Sequence, residues 1–369
     1  MSSQSKPMIS RRQFFFIIVQ TQIGVGILSM PHELHRIAKQ DGWISLLITA
    51  FSLLIVLFFL WMLAKRHPAS NFFQILERVF SKWPGKFITV AYIIYFTCVS
   101  VLILLLFGRM LSLWVLPSTP FWVLSFLMVA VCLYLTASGL KMIARLYTSL
   151  SLFLFILIVL MLFCFAELEF LYILPIAQSG WGNIIKGANE GLLSYFGFIV
   201  TLVIYTYVEG KPKDKFKTVF WAHCFVTCFY LFVVIVSYTF FSTKEIALVQ
   251  EPVLYMLKSF QFPIIARIDL FFLSIWVVSV ATSFGTYLFM TGVGLQSVFQ
   301  KKSSVPITLA AISIFILSLF FGFESERVDM LGNVVVILGY AFGILIPIFT
   351  LCISALRFKA ERERGRHEV

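Results

Sequence analysis

Long apolar segments alternate with short polar connections along the whole chain. Ten of these segments approach the roughly 20 residues that a helix needs to cross the hydrocarbon core of a bilayer. They cover residues 12–31, 43–64, 87–110, 121–137, 142–165, 183–208, 218–241, 265–298, 305–322 and 331–356. The pattern predicts an all-α membrane protein with about ten transmembrane helices, numbered here as spans one to ten.

Glycines interrupt span one near its middle, where residues 20–31 read QTQIGVGILSMP. At ~1.5 Å per residue, Gly24 lies about 18 Å along a helix from Arg12, near the centre of a roughly 30 Å hydrocarbon core. Backbone groups freed at that depth must face protein or a water-filled cavity. The glycines are also compatible with nothing more than close helix packing. The stretch alone leaves both interpretations open.

A second interruption, EGLLSYFGFI at residues 190–199, lies in span six. Spans six, seven and eight begin about 171 to 178 residues after spans one, two and three, respectively. This nearly constant offset divides the chain into two halves of five spans, and each interruption lies in the first span of its half. Paired interruptions of this kind predict an inverted repeat with its binding site at the midplane. We expect one integral membrane domain over 1–369, with repeat one at about 12–165, repeat two at about 183–356 and a basic tail at 357–369.

Composition supports a membrane protein and excludes a soluble globule. Hydrophobic residues make up 60% of the chain, charged residues 12%, and the mean hydropathy is +0.96. The net charge of +12 arises from basic residues in the connections and the tail, which membrane topology explains better than nucleic-acid binding. One set of alternate connections, with both termini, carries 21 Lys and Arg against seven on the other. Both termini are therefore predicted to be cytoplasmic.

Two connections have the apolar periodicity of short helices. Residues 71–82 suit an amphipathic helix on the cytoplasmic side, and residues 245–260 an outer helical loop. Each is either a docking surface for a partner or interfacial packing. No Walker box, nucleophile elbow or Rossmann fingerprint occurs in a fitting context. We expect no catalytic residue, cofactor or metal site, and therefore no enzyme.

The motif Gly24-x-Gly26-Ile27-Leu28-x-x-Pro31 in a five-plus-five arrangement resembles the amino acid/polyamine/organocation superfamily. The length, the ten spans, Arg12-Gln13 before the motif and the short basic tail are most similar to the B subunit of spore germinant receptors. The resemblance implies a LeuT-like fold with broken helices one and six. It also implies a nutrient-sensing subunit in the spore inner membrane, beside an A subunit and a C-subunit lipoprotein. The alternative is an autonomous secondary transporter of an amino acid or similar solute.

The resemblance places a ligand pocket where the breaks of spans one and six face spans three and eight. Within those spans, residues 97 and 101, like 282 and 286, lie one turn apart and share a helix face. The predicted ligand-binding residues are Gly24, Val25, Gly26, Thr97, Ser100, Val101, Gly197, Phe198, Ile199 and Thr286.

Two further features remain open between function and structure. Thr282 and Ser283 are an adjacent hydroxyl pair that resembles an ion site of sodium-coupled relatives; alternatively they bond their own helix or a neighbouring one. Glu190, an ionisable residue within a span, is a candidate for the ligand's access route or for carrying a proton. Pairing with Lys186, four residues earlier, is the structural alternative.

Overall fold

The computed structural model describes residues 9–260, 267–300, 303–322 and 324–367, with side chains as far as residue 357. Apart from one isolated bridge between Ile9 and Val208, the regular structure in these ranges is helical. The first half contains α1 (Arg11–Gln22), α2 (Gly26–Ala38), α3 (Gly42–Arg66), α4 (Phe72–Phe80), α5 (Lys82–Trp114), α6 (Phe121–Ala137) and α7 (Leu140–Leu162). The second half contains α8 (Trp181–Leu192), α9 (Val200–Ile204), α10 (Pro212–Phe240), α11 (Thr243–Ile246), α12 (Pro252–Lys258), α13 (Ile268–Phe299), α14 (Val305–Phe321), α15 (Ser325–Gly339) and α16 (Ile346–His367).

All ten predicted spans are helical, which confirms the all-α membrane architecture. Within the described ranges, seven helical stretches are long and apolar enough to cross a membrane, and α6 and α14 are shorter apolar helices. Span one consists of α1 and α2, span six of α8 and α9, and span ten of α15 and α16. We call the end of the bundle where α1 begins and α16 ends the terminal end, and the opposite one the far end.

The two predicted interruptions have different geometries. In span one, the helix stops at Gln22 because Ile23 adopts an extended conformation (φ −80°, ψ 94°), and α2 begins at Gly26. In span six, residues Leu193–Ile199 form a 3₁₀ helix between α8 and α9. A third irregular segment, the π-helix Tyr340–Leu345 in span ten, was not predicted from the sequence.

Glycines allow these irregular segments to touch. A Cβ atom at Gly197 would lie 2.7 Å from both the carbonyl carbon and the carbonyl oxygen of Thr21, so the backbones of spans one and six are in direct contact. A Cβ atom at Gly339 or Gly343 would similarly meet the ring of Phe196 or Phe198. The break, the 3₁₀ helix and the π-helix thus form one contiguous cluster in the interior.

The two predicted connecting helices are present and pack against the rest of the chain. The apolar residues Phe72, Phe73, Ile75, Leu76 and Val79 of α4 are buried, and Phe80 at its end is partly buried. In the outer loop, Val253, Leu254 and Leu257 of α12 are buried and Leu248 is exposed. Since these apolar faces are covered by the protein itself, the structure favours packing over docking for both segments.

Candidate ligand cavity at the broken helices

A cavity of about 720 Å³ opens at the far end and reaches the break in span one. Residues from α2, α5, α8, α13 and α15 form its walls. Only uncharged residues line the cavity near the two breaks, within 21–28 and 193–197. The lining residues on α13 are also uncharged. Charged groups line the cavity only further from the breaks, at Glu33, Arg36, Arg109, Glu190, Glu251 and Asp329.

Hydroxyl groups of α13 satisfy the carbonyl groups at the end of α1. The Ser283 hydroxyl lies 3.1 Å from the carbonyl oxygens of both Gln20 and Thr21, and the Thr282 hydroxyl lies 3.2 Å from that of Gln20. Carbonyl groups that end a helix inside a bilayer need such partners. The adjacent hydroxyl pair therefore faces the broken helix. The Thr282 hydroxyl also lies 2.8 Å from the Ser279 carbonyl oxygen of its own helix, so the alternative of bonding within α13 stays open beside an ion site.

Two large buried side chains hold the segment after α1. Tyr230 donates from its hydroxyl to the Gln22 carbonyl oxygen at 2.6 Å and lies 3.1 Å from that of Ser194. Trp276 donates from its indole N–H to the Gly24 carbonyl oxygen at 3.2 Å. Tyr230 thereby links the interruptions of spans one and six. Sequence reasoning missed both residues, although a Tyr or Trp in an apolar segment signals a need for a polar partner.

The side chain of Gln22 is the most distinctive feature of the cavity. It is 3% exposed and lines the cavity, and neither atom of its amide has a hydrogen-bond partner among the described residues. Tyr287 lines the same cavity, and its hydroxyl is likewise buried without a partner in the described part of the chain. Together these groups can offer a ligand about two acceptor oxygens and about three N–H or O–H donors.

Ion pairs and polar contacts surround the mouth of the cavity. Arg36 lies 3.3 Å from Glu190 and 3.5 Å from Glu33, while Arg109 donates to the side-chain oxygen of Gln250 at 3.0 Å. The partner of Glu190 is thus Arg36 on the other broken span. Burial raises the pKa of Glu251, which lies in the loop before α12.

Some of the predicted site residues line this cavity and others lie behind its walls. Those that line it are Gly24, Val25, Gly26, Gly197, Ser283 and Glu190. Those that do not are Thr97, Ser100, Val101, Phe198, Ile199, Thr282 and Thr286.

The orientation of each helix about its own axis explains why some predicted residues lie behind the cavity walls. On α5 the cavity contacts Val99, Leu102 and Ile103, a different face from the one predicted. The spacing of residues 97 and 101 correctly places them on one face but does not say which face points inward. Thr286 is buried behind the break, where its hydroxyl lies 2.9 Å from that of Thr21.

Ten spans with the first and sixth interrupted, in backbone contact and reached by a cavity define a transporter-like membrane protein of the LeuT-like fold, with a five-plus-five inverted repeat. The structure is similar to that of MhsT in complex with L-phenylalanine, with a TM-score of 0.67, 15% identity, and coverage of 92% of this chain and 89% of that one. It is also similar to a Na⁺-coupled sialic acid symporter in a substrate-bound outward-open state, with a TM-score of 0.66, 13% identity, and coverage of 90% and 77%.

The chain belongs to the spore germination protein family of spore permeases, whose model matches residues 8–328. It is 24% identical to the spore germination protein GerQB of Bacillus cereus, over 96% of this chain and 98% of the relative. It is 26% identical to YndE of Bacillus subtilis (strain 168), with the same coverage. Spore germination protein A2 of that strain is 24% identical, over 97% of this chain and 98% of the relative.

Proposed function

We propose that this chain is the nutrient-sensing membrane subunit of a spore germinant receptor, and that the cavity binds a small germinant without net charge. The observation that carries the proposal is the buried amide of Gln22, which lines the cavity and has no partner among the described residues. Leaving such a group unsatisfied costs about 1–3 kcal/mol. A ligand with both a donor and an acceptor recovers this free energy when it binds.

An amino acid or a similar small nutrient fits the chemistry of the cavity. The lining at the level of the breaks is uncharged, so a ligand with net charge would lose its hydration without a counter-ion. A zwitterion or a neutral polar molecule can place its polar end at Gln22 and Tyr287. Its apolar part would then rest on Val99, Leu102 and Ile103 of α5. The complex of the similar protein MhsT with L-phenylalanine supports a ligand of this size.

Binding, rather than catalysis, is the proposed activity, and the signal passes through partners. We expect the chain to act in the spore inner membrane with an A subunit and a C-subunit lipoprotein, with both termini cytoplasmic. A ligand that binds one conformation of the broken helices more tightly shifts the conformational equilibrium towards it. The associated subunits would respond to that shift.

Autonomous transport coupled to a small cation is the second candidate. The observation in its favour is the group of hard oxygen atoms formed by the Thr282 and Ser283 hydroxyls with the carbonyls of Gln20 and Thr21. Purified chain in proteoliposomes, offered a labelled nutrient with and without a Na⁺ gradient, separates the two candidates. Ligand binding without uptake is expected for the receptor subunit, and concentrative uptake by the chain alone would contradict it.

Two glutamines on α1 offer a matched test of the binding site. Gln22 lines the cavity without a partner, whereas the Gln20 side chain accepts a hydrogen bond from the Thr282 hydroxyl at 3.0 Å and does not line the cavity. The purified protein is heated with each of a panel of L-amino acids, a neutral nucleoside and a hexose. A bound nutrient raises the unfolding temperature. Gln22→Leu is expected to reduce that increase at the same nutrient concentration, and Gln20→Leu to retain it; a reduction in both variants or in neither would contradict the assignment.

A further inference from the structure

Helices α1 and α10 meet at the terminal end of the bundle. The two helices begin side by side and pack along each other, with the rings of Phe15 and Phe225 5.9 Å apart. Above this contact is a groove of about 580 Å³, remote from the ligand cavity. It is lined by Ser10, the start of α1 as far as Phe16, the start of α10 as far as Trp221, and Glu209.

More cationic than anionic side chains line this groove, and two of the cationic ones have no ion-pair partner among the described residues. Arg11 and Asp214 neutralise each other at 3.8 Å. Arg12 and Lys217 are both exposed, and neither side chain has a hydrogen bond or ion pair with any described residue. The one remaining carboxylate in the lining is that of Glu209, which is exposed. The groove therefore carries a positive charge that the described chain does not balance.

The same pattern occurs on both walls of the groove. Four residues after Arg12 comes Phe16, and four residues after Lys217 comes Trp221, so each cation has an aromatic ring about 6 Å deeper in the bilayer. The Arg12 guanidinium lies 6.0 Å from the centre of the Phe16 ring, and Trp221 is 63% exposed. Aromatic side chains occupy the level of the lipid headgroups, and basic pockets between transmembrane helices bind anionic headgroups.

We propose that this groove binds one anionic glycerophospholipid. Its phosphodiester group lies between the Arg12 guanidinium and the Lys217 ammonium, and its acyl chains descend over Phe16 and Trp221. Two cations on separate helices match one phosphodiester better than either does alone, because the lipid's single negative charge is shared between them. The lipid would join the first half of the broken span one to α10, which belongs to the other repeat.

Native mass spectrometry of the full chain tests the proposal. The protein is released from nanodiscs that contain phosphatidylglycerol and phosphatidylcholine with the same acyl chains. The wild type is expected to retain one phosphatidylglycerol in preference to phosphatidylcholine. Removing each cation should weaken binding about fivefold, hence roughly twenty-five-fold for Arg12→Gln/Lys217→Gln. Millimolar inorganic phosphate should not displace the lipid, since the acyl chains contribute to binding.

A control pair lies at the same end of the bundle. Lys82 and Lys86 flank Trp83, which is 82% exposed, at the start of α5, but they do not line the groove. Lys82→Gln/Lys86→Gln removes the same charge and should retain the lipid, as should the charge-conserving Arg12→Lys/Lys217→Arg. Equal loss in the control, or undiminished retention in Arg12→Gln/Lys217→Gln, would overturn the proposal.

A second measurement uses only the wild type, so it stands if the double variant does not fold. Phosphatidylglycerol with a photoreactive group near its headgroup is incorporated into the nanodiscs and irradiated. Cross-links are expected within 12–16 and 217–221. Cross-links confined to other peptides would overturn the site.

Discussion

Gln20 and Gln22 lie two residues apart on α1 and have opposite environments. The Gln20 side chain is bonded to Thr282, whereas the Gln22 side chain enters the cavity without a partner in the described chain. Their local sequence does not distinguish them, because the partner of Gln20 lies more than 260 positions away. The break itself could be predicted from the sequence, because its glycines act directly on the backbone. The side chains that complete the cavity could not, since tertiary packing selects them.

Tyr287 and Tyr147 extend this contrast to hydroxyl groups. The Tyr147 hydroxyl donates to the Thr282 carbonyl oxygen and lies 3.1 Å from the Thr286 hydroxyl, whereas that of Tyr287 has no partner in the described ranges. Tyr147→Phe should lower the free energy of unfolding by ~0.5–1.5 kcal/mol, and Tyr287→Phe should not lower it. Tyr287→Phe should instead weaken nutrient binding by roughly two- to twelvefold.

Thermal unfolding with and without the nutrient measures both effects for each variant. A Tyr287→Phe protein that is less stable but binds normally would show that this hydroxyl has a structural partner and no ligand role.

Two carboxyl groups in the outer loop should give opposite pH dependences of stability. Burial raises the pKa of Glu251, so its contribution is present below the ordinary value of 4.5 and is lost as the pH rises through the raised pKa. Hydrogen bonds with Ser242 lower the pKa of Glu245, so its contribution is present above 4.5 and is lost as the pH falls through the lowered pKa.

Unfolding temperatures between roughly pH 4 and 8 measure these dependences. Relative to the wild type, Glu251→Gln should become more stabilising as the pH rises. Glu245→Gln should become less destabilising as the pH falls. The same pH trend in both variants would rule out the opposite environments of the two carboxyl groups.

At the scale of elements, three irregular segments meet in the interior next to the cavity. The sequence indicated two of them, because a Gly-x-Gly motif and a Gly within an apolar span are local signals. The π-helix in span ten could not be predicted, because Gly339 and Gly343 are not a distinctive signal in a membrane helix, where glycines are common. Its packing also involves Phe196 and Phe198, which are distant in sequence. The amphipathic pattern of 71–82 did predict α4, but not that its apolar face would be covered.

Gly197 and Gly182 test the contact between the two broken spans. A Cβ atom at Gly197 would lie 2.7 Å from backbone atoms of Thr21, whereas one at Gly182 would meet nothing within 4 Å. Gly197→Ala should force the two backbones apart, with a loss of ~1–3 kcal/mol in stability and of nutrient binding. Gly182→Ala should leave stability within about 1 kcal/mol of the wild type.

Unfolding temperature and nutrient-induced stabilisation in one detergent measure both variants. Normal binding and stability of Gly197→Ala would mean that spans one and six do not meet at this residue.

For the whole molecule, the charge distribution predicts which face the cavity opens on. The bias of 21 to seven Lys and Arg predicts that the terminal end is cytoplasmic and that the cavity mouth faces outside. In a background without the native cysteines, Leu248→Cys should react with an impermeant thiol reagent only from outside. Ser303→Cys should react only from inside. Leu248 is 86% exposed and Ser303 is also exposed, so both sites are reachable. Reaction of both from the same side would contradict the ten-span topology.

The central claim is that Gln22 binds the germinant in the cavity, and the response of spores tests it most directly. Spores that carry Gln22→Leu or Gln20→Leu are exposed to increasing concentrations of the nutrient that most stabilises the purified protein, and germination is followed. Loss of two hydrogen bonds at ~0.5–1.5 kcal/mol each should raise the half-maximal concentration roughly five- to 150-fold for Gln22→Leu at normal protein abundance. For Gln20→Leu the concentration should change less than about threefold, because that side chain does not line the cavity. An unchanged curve for Gln22→Leu at normal abundance would contradict the account.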